Sequence, residues 1–261
     1  MKRLPSAEVA TGLGVLSSQS LTDLYGLIYE ATDPDDLPDT PAWQLRLAFV
    51  GKDLDTKLGA MRRLWSAASQ DALRTEGARA LLGRSATQIK PSAELQSDAP
   101  NLIASMLAAG FDRDAARWAN AVSQMDDQYS DPAWAMLALG APDGSGVDLS
   151  AGRITEFIDR DTSDGHKRSA LLVAGLVGLG RLDTETAGQL SSRYGLRIGH
   201  RTSWTRMIDR AASLGQAGTV LVLTGTGLQA PNFVEIPPPH VYHADAALKT
   251  TGQDFTARMI A

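Results

Sequence analysis

The sequence predicts an all-α fold: stacked antiparallel helical hairpins forming an α-solenoid-like superhelix. Three observations carry that prediction. Apolar residues recur at helical spacing, glycines stop the pattern at Gly110, Gly180, Gly215 and Gly252, and the intervals between those glycines are regular. Gly180 to Gly215 is 35 residues and Gly215 to Gly252 is 37, while Gly110 to Gly180 is 70, or two such steps. Intervals of this size belong to repeat architectures, in which each helical pair buries its apolar face on the next.

Aligned on glycine, the four copies share apolar positions. Four residues before it stand Met106, Leu176, Ala211 and Leu248, and eight before it stand Leu102, Leu172, Met207 and Ala244. Positions four and eight apart lie on one helical face, which needs a cover. Glycine after the last periodic residue suits a left-handed helix cap, and Asp112 and Asp254, two residues on, are placed to cap the following helix.

On these residues the segment from about 100 to 261 resembles the broad class of tetratricopeptide-like and Sel1-like helical-hairpin repeats. The resemblance is one of fold. It implies a protein-binding scaffold and carries no binding residues across, since the copies lack the regular Trp, Tyr and Pro positions of a tetratricopeptide consensus.

Earlier elements fit the same scheme. Ser20–Thr32 places Leu21, Leu24, Tyr25, Leu27 and Ile28 at helical spacing, with Ser20 as cap. Asp33–Pro41 holds three prolines and four carboxylates, so it is a wet loop; solvated charge is the default reading over a calcium loop, which needs a glycine and a distal glutamate. Trp43–Val50 and Leu54–Ala68 read as a hairpin about Gly51, Ala72–Leu82 as a helix, and Asp131–Pro132 as the start of a short helix through Leu139. Val220–Thr224 is β-prone by residue type, but its place in the repeat predicts a buried helix. Asn232–Pro239, with three successive prolines, reads as extended. The closing residues Phe255–Ala261 read as a helix with no stop signal.

We expect a single continuous helical-repeat domain over 1–261. A subdomain break, if present, falls near 141–165, where Ala141–Gly146 and Asp161–Gly165 are turn-rich. With no cysteine, the chain excludes disulfides, thiolate metal sites and cysteine nucleophiles. No apolar run is long enough to span a membrane, and no apolar segment follows Lys2 and Arg3. A cytoplasmic protein is expected, or a periplasmic one if a leader has been removed.

No motif fixes a reaction. His240 and His243 lie three apart on one helical face, with Glu235 and Asp245 nearby in sequence, which makes His240, His243 and Glu235 the acid–base or metal candidates of a hydrolase-type alternative. The spacing lacks the glutamate-bearing metalloprotease pattern, and no metal or cofactor is expected. Thr224-Gly225-Thr226-Gly227 lacks the lysine of a phosphate-binding loop and reads as a helix terminus.

Charge is more suggestive. Residues 21–60 hold eight acidic and three basic side chains, whereas 166–210 hold eight basic and three acidic ones. Arg193, Tyr194, Arg197, Arg201 and Trp204 form the candidate partner-binding set, a basic stripe with aromatics suited to an acidic protein or peptide. The net charge of −5 argues against nucleic acid. The expected function is thus a non-enzymatic scaffold or interaction module that binds a partner on its concave surface.

Overall fold

The computed structural model describes residues 4–230 and 233–261 and is all-helical, with no strand among the described residues. The chain divides into two compact units, Met1–Leu137 with Pro142–Gly146, and Ala138–Ala141 with Val147–Ala261. Among the described residues no helix is long and apolar enough to cross a membrane.

The first unit contains α1 (Leu4–Gly12), α2 (Ser18–Ala31), α3 (Pro41–Val50), α4 (Leu54–Ala68), α5 (Ala72–Ala86), α6 (Ala99–Ala108), the short α7 (Asp112–Ala116) and α8 (Ala119–Val122), and most of α9 (Asp127–Gly140). Side-chain caps set several starts: Ser17, Thr40, Asp53 and Asp71 each accept the amide three residues on. Ser17 therefore caps α2, and Ser20 donates the capped amide rather than capping. The 3/10 turn Leu37–Asp39 sits in the proline-rich loop, as its broken pattern requires. Helix α9 starts four residues before Asp131 and keeps Pro132 inside it.

Helix α5 is the centre of this unit, packing on α1, α4 and α6. Two close approaches explain how. A Cβ on Gly77 would stand 2.2 Å from the Glu8 carbonyl oxygen, and one on Gly83 would stand 2.5 Å from that of Ser105, so α1 and α6 meet α5 backbone to backbone. Trp65 on α4 reaches across to donate its indole N–H to Ser105 Oγ at 3.1 Å. Arg62 holds the buried Asp98, at the head of α6, with two parallel hydrogen bonds.

The second unit contains α10 (Ala151–Arg160), α11 (Lys167–Gly178), α12 (Thr184–Tyr194), α13 (Ser203–Ser213), α14 (Ala217–Gly227), α15 (Pro238–Thr250) and α16 (Asp254–Ile260). Its core gathers Leu179, Ile208, Val220, Ala244, Leu248 and Ala257. Helix α15 is its centre and packs on α11, α13, α14 and α16. In both units one strong pairing joins helices four apart in order, α1 with α5 and α11 with α15.

The glycine caps take the same form at all four copies. Gly110, Gly180, Gly215 and Gly252 have φ of 79°, 66°, 66° and 81°. At each, the following amide donates to the carbonyl five residues back, on Met106, Leu176, Ala211 and Leu248. This is the closure of a Schellman motif, whose left-handed residue would strain any side chain. Those four residues are buried, as are Leu102, Leu172 and Ala244; Met207 is 52% exposed and is the exception. Asp112 and Asp254 are first-turn residues, not caps, because α7 and α16 begin on them. Gly51 joins α3 and α4 with φ −52°, a different turn.

Val220–Thr224 lies inside α14, but only Val220 and Thr224 are buried, while Leu221 and Val222 face solvent. Of Asn232–Pro239, Asn232 lies outside the described residues. The rest forms a 3/10 turn over Phe233–Glu235 and then opens α15, with Pro238 and Pro239 at its first positions, where a missing N–H is harmless.

Candidate functional site

In the second unit, α12 and the loop after it border a groove of about 360 Å3. Its apolar lining comes from Val177 on α11, Ala187 on α12, Ile198 in the loop and Tyr242 on α15, with Gly188, Ser191 and Gly199 leaving it open. The loop is anchored by alternation. Leu196 and Ile198 are buried, whereas Gly195, Arg197 and Gly199 are exposed. Gly195 at φ 68° and Arg197 at φ 54° take left-handed conformations, and the two buried neighbours hold Arg197 in one that ordinarily disfavours a side chain.

Of the five basic and aromatic candidates, two keep uncommitted side chains. Arg197 and Arg201 are exposed and have no side-chain partner among the described residues. Arg197 directly precedes the groove residue Ile198, and Arg201 follows the groove residue Gly199 by two positions. The other three are used within the fold. Arg193 lies 5.0 Å from the Tyr194 ring, and Tyr194 donates to Asp159 on α10, which pushes its phenol pKa up. Trp204 donates to the Leu223 carbonyl at 3.1 Å, stacks on His240 at 4.4 Å, and covers Gly227, where a Cβ would stand 2.1 Å from the indole. The Thr224–Gly227 segment is accordingly a helix end shaped to receive an indole.

The acid–base candidates each acquire a separate partner or none. His240 Nδ1 meets the Gly227 carbonyl at 2.9 Å, His243 Nδ1 meets Asp209 Oδ1 at 2.6 Å, and Glu235 is exposed. Asp209 orients the His243 imidazole in the way a general base needs, yet among the described residues no hydroxyl hydrogen-bonds its Nε2. No three His, Asp or Glu side chains gather as a metal site among the described residues.

Nearby stands a group the sequence did not single out as unusual. Asp245 is fully buried against Gly178, and both of its carboxyl oxygens lack a partner. Burial pushes its pKa well up, which favours the neutral acid. Asp161 is the opposite case: burial alone would raise it, but bonds from Ser169 and Ser163 hold it below the usual range.

A second polar cluster, in the first unit, had no signal in the sequence. Glu8 is buried and accepts from Tyr25 Oη at 2.8 Å and from Arg74 Nε at 2.8 Å. Burial, then the Glu8 charge, drive the Tyr25 pKa far up, so it stays a neutral phenol. The partners are 17 and 66 residues apart, and only the packing of α1 and α2 on α5 unites them.

Comparison of the chain with protein-family models, with curated proteins and with solved structures gives no match.

Proposed function

We propose that the protein is a non-enzymatic helical-hairpin binding module whose groove beside α12 accepts a partner segment that is both apolar and acidic. The observation that carries the reading is the coincidence of an apolar groove with two uncommitted, exposed arginines on the loop that lines it. Apolar contacts with Ile198 and Tyr242 would supply affinity, and Arg197 and Arg201 would supply register and on-rate. The four left-handed glycine caps support hairpin construction. Regular superhelical stacking, as in tetratricopeptide-like repeats, belongs to this proposal too, and the α1–α5 and α11–α15 pairings weigh against strictly successive packing.

Reversing the two charges tests it. A doubly substituted protein, Arg197→Glu with Arg201→Glu, keeps its helicity and loses at least about tenfold in affinity for a labelled peptide of alternating Leu and Glu. Equal binding by the folded variant would refute the groove assignment. Among the described residues, the Asp209–His243 pair is the feature that favours a hydrolase-type reading. That reading requires His243→Ala to abolish hydrolysis of an activated ester that the wild type turns over.

A further inference from the structure

The first unit encloses a cavity of about 210 Å3 among α1, α2, α4 and α5. Its mouth is edged by the exposed Pro5 and Pro41, and its inner wall is made by the buried Leu64, Ala68, Ala78 and Leu81. The Glu8, Tyr25 and Arg74 side chains are the polar part of this lining. We infer that the cavity is a binding site for a small uncharged molecule, one ring in size, that carries a hydrogen-bond acceptor.

Charge balance gives the first half of that assignment. Both Glu8 oxygens are already occupied, one by the Tyr25 hydroxyl and one by Arg74, so carboxylate and guanidinium cancel. An anion entering would lie beside the buried Glu8 carboxylate and be repelled by it, and a cation would be repelled by Arg74 while finding Glu8 already paired. A neutral ligand suffers neither penalty. What the cluster still offers is donors. Arg74 gives only its Nε to Glu8, its side chain is 33% exposed, and its terminal amino groups have no partner among the described residues. They are donors that water or an acceptor such as a ketone or ester oxygen can satisfy.

Size gives the second half. An apolar cavity of about 150 Å3 admits benzene, so 210 Å3 takes a ring with a short substituent. With Arg74 a third exposed the pair is only half-buried, and such an ion pair is weak evidence for stability. Its position on the wall of a cavity is better explained by a ligand to be oriented.

Acetophenone, toluene and benzoate are the probes, titrated into the 261-residue chain and followed by calorimetry and by NMR. Acetophenone is expected to bind saturably, with contacts from its ring protons to the Leu81 methyls, and toluene, lacking the acceptor, about tenfold more weakly. Benzoate is expected to bind no more tightly than acetophenone. Ala68→Leu, which fills the inner wall, is expected to reduce acetophenone affinity at least about tenfold while preserving helicity. The inference is overturned if acetophenone shows no saturable binding or no contact to Leu81 in the wild type. Benzoate binding more tightly, or a folded Ala68→Leu protein binding acetophenone equally well, would overturn it too.

Discussion

At the scale of single residues, the fold turns on where a methyl group fits. A Cβ on Gly77 would collide with the Glu8 backbone, whereas one on Gly59, inside α4, meets nothing within 4 Å. Gly77→Ala should therefore destabilise the protein by about 2 kcal/mol through a forced separation of α1 and α5. Gly59→Ala should stabilise it by about 0.5–1 kcal/mol through the lower backbone entropy of the unfolded chain. Urea unfolding of the two variants checks both signs. Asp245 gives a pH prediction. In the unfolded chain its carboxyl ionises near pH 4, while in the fold burial keeps the proton on to higher pH. The unfolded state thus releases the proton first, and stability falls as pH rises from the unfolded value towards the folded one. Asp245→Asn removes that slope, so its stability should gain on the wild type as pH rises above about 4 towards the folded value. Within that window the gain grows by up to about 1.4 kcal/mol per pH unit. A difference that stays flat with pH would contradict the neutral, unpartnered carboxyl.

Among elements, helix ends in the second unit are held by cations from other segments. Arg181 donates to the carbonyls of Ala138, Leu139 and Ala141, Lys249 to that of Leu179, and Arg258 to that of Gly140. These are orphan carbonyls at the ends of α9 and α11, where positive charge is also favoured by the helix dipole. Arg181→Met should cost about 3 kcal/mol, since several buried carbonyls lose a charged donor at once, whereas Arg201→Met should stay within about 0.5 kcal/mol. Thermal unfolding of the two proteins decides it. The same contrast explains what was legible in the sequence. The four glycine caps were, because a left-handed turn leaves a residue-type signature that an apolar stripe makes unambiguous. Gly195 ends α12 in the same conformation and left no such signal, for α12 is mostly polar and buries only Ala187 and Leu190. Met207 misled the pattern because α13 presents that position to solvent. Arg181 looked like one more basic residue, since its partners lie about forty positions away. Glu8, Tyr25 and Arg74 were invisible for the same reason.

For the whole molecule, the division into two units makes the short segment Ala138–Ala141 part of the second one, where it receives the Arg181 and Arg258 guanidinium groups. A fragment covering 138–261 should consequently unfold cooperatively, and one covering 147–261 should lose stability or cooperativity, as circular dichroism during heating would reveal. All-helical construction was legible from periodicity alone, but the pairing of α1 with α5 and of α11 with α15 was not, because hydrophobic spacing states which face is buried and not against which partner. The binding role proposed for the molecule depends on the groove beside α12. Its most direct measurement is an NMR titration of the 261-residue chain with an acidic peptide of alternating Leu and Glu. The account predicts saturable shifts concentrated at Ala187–Arg201 and Tyr242 that disappear when Arg197 and Arg201 become Glu. Shifts that leave this segment untouched, or that persist in the charge-reversed protein, would contradict it.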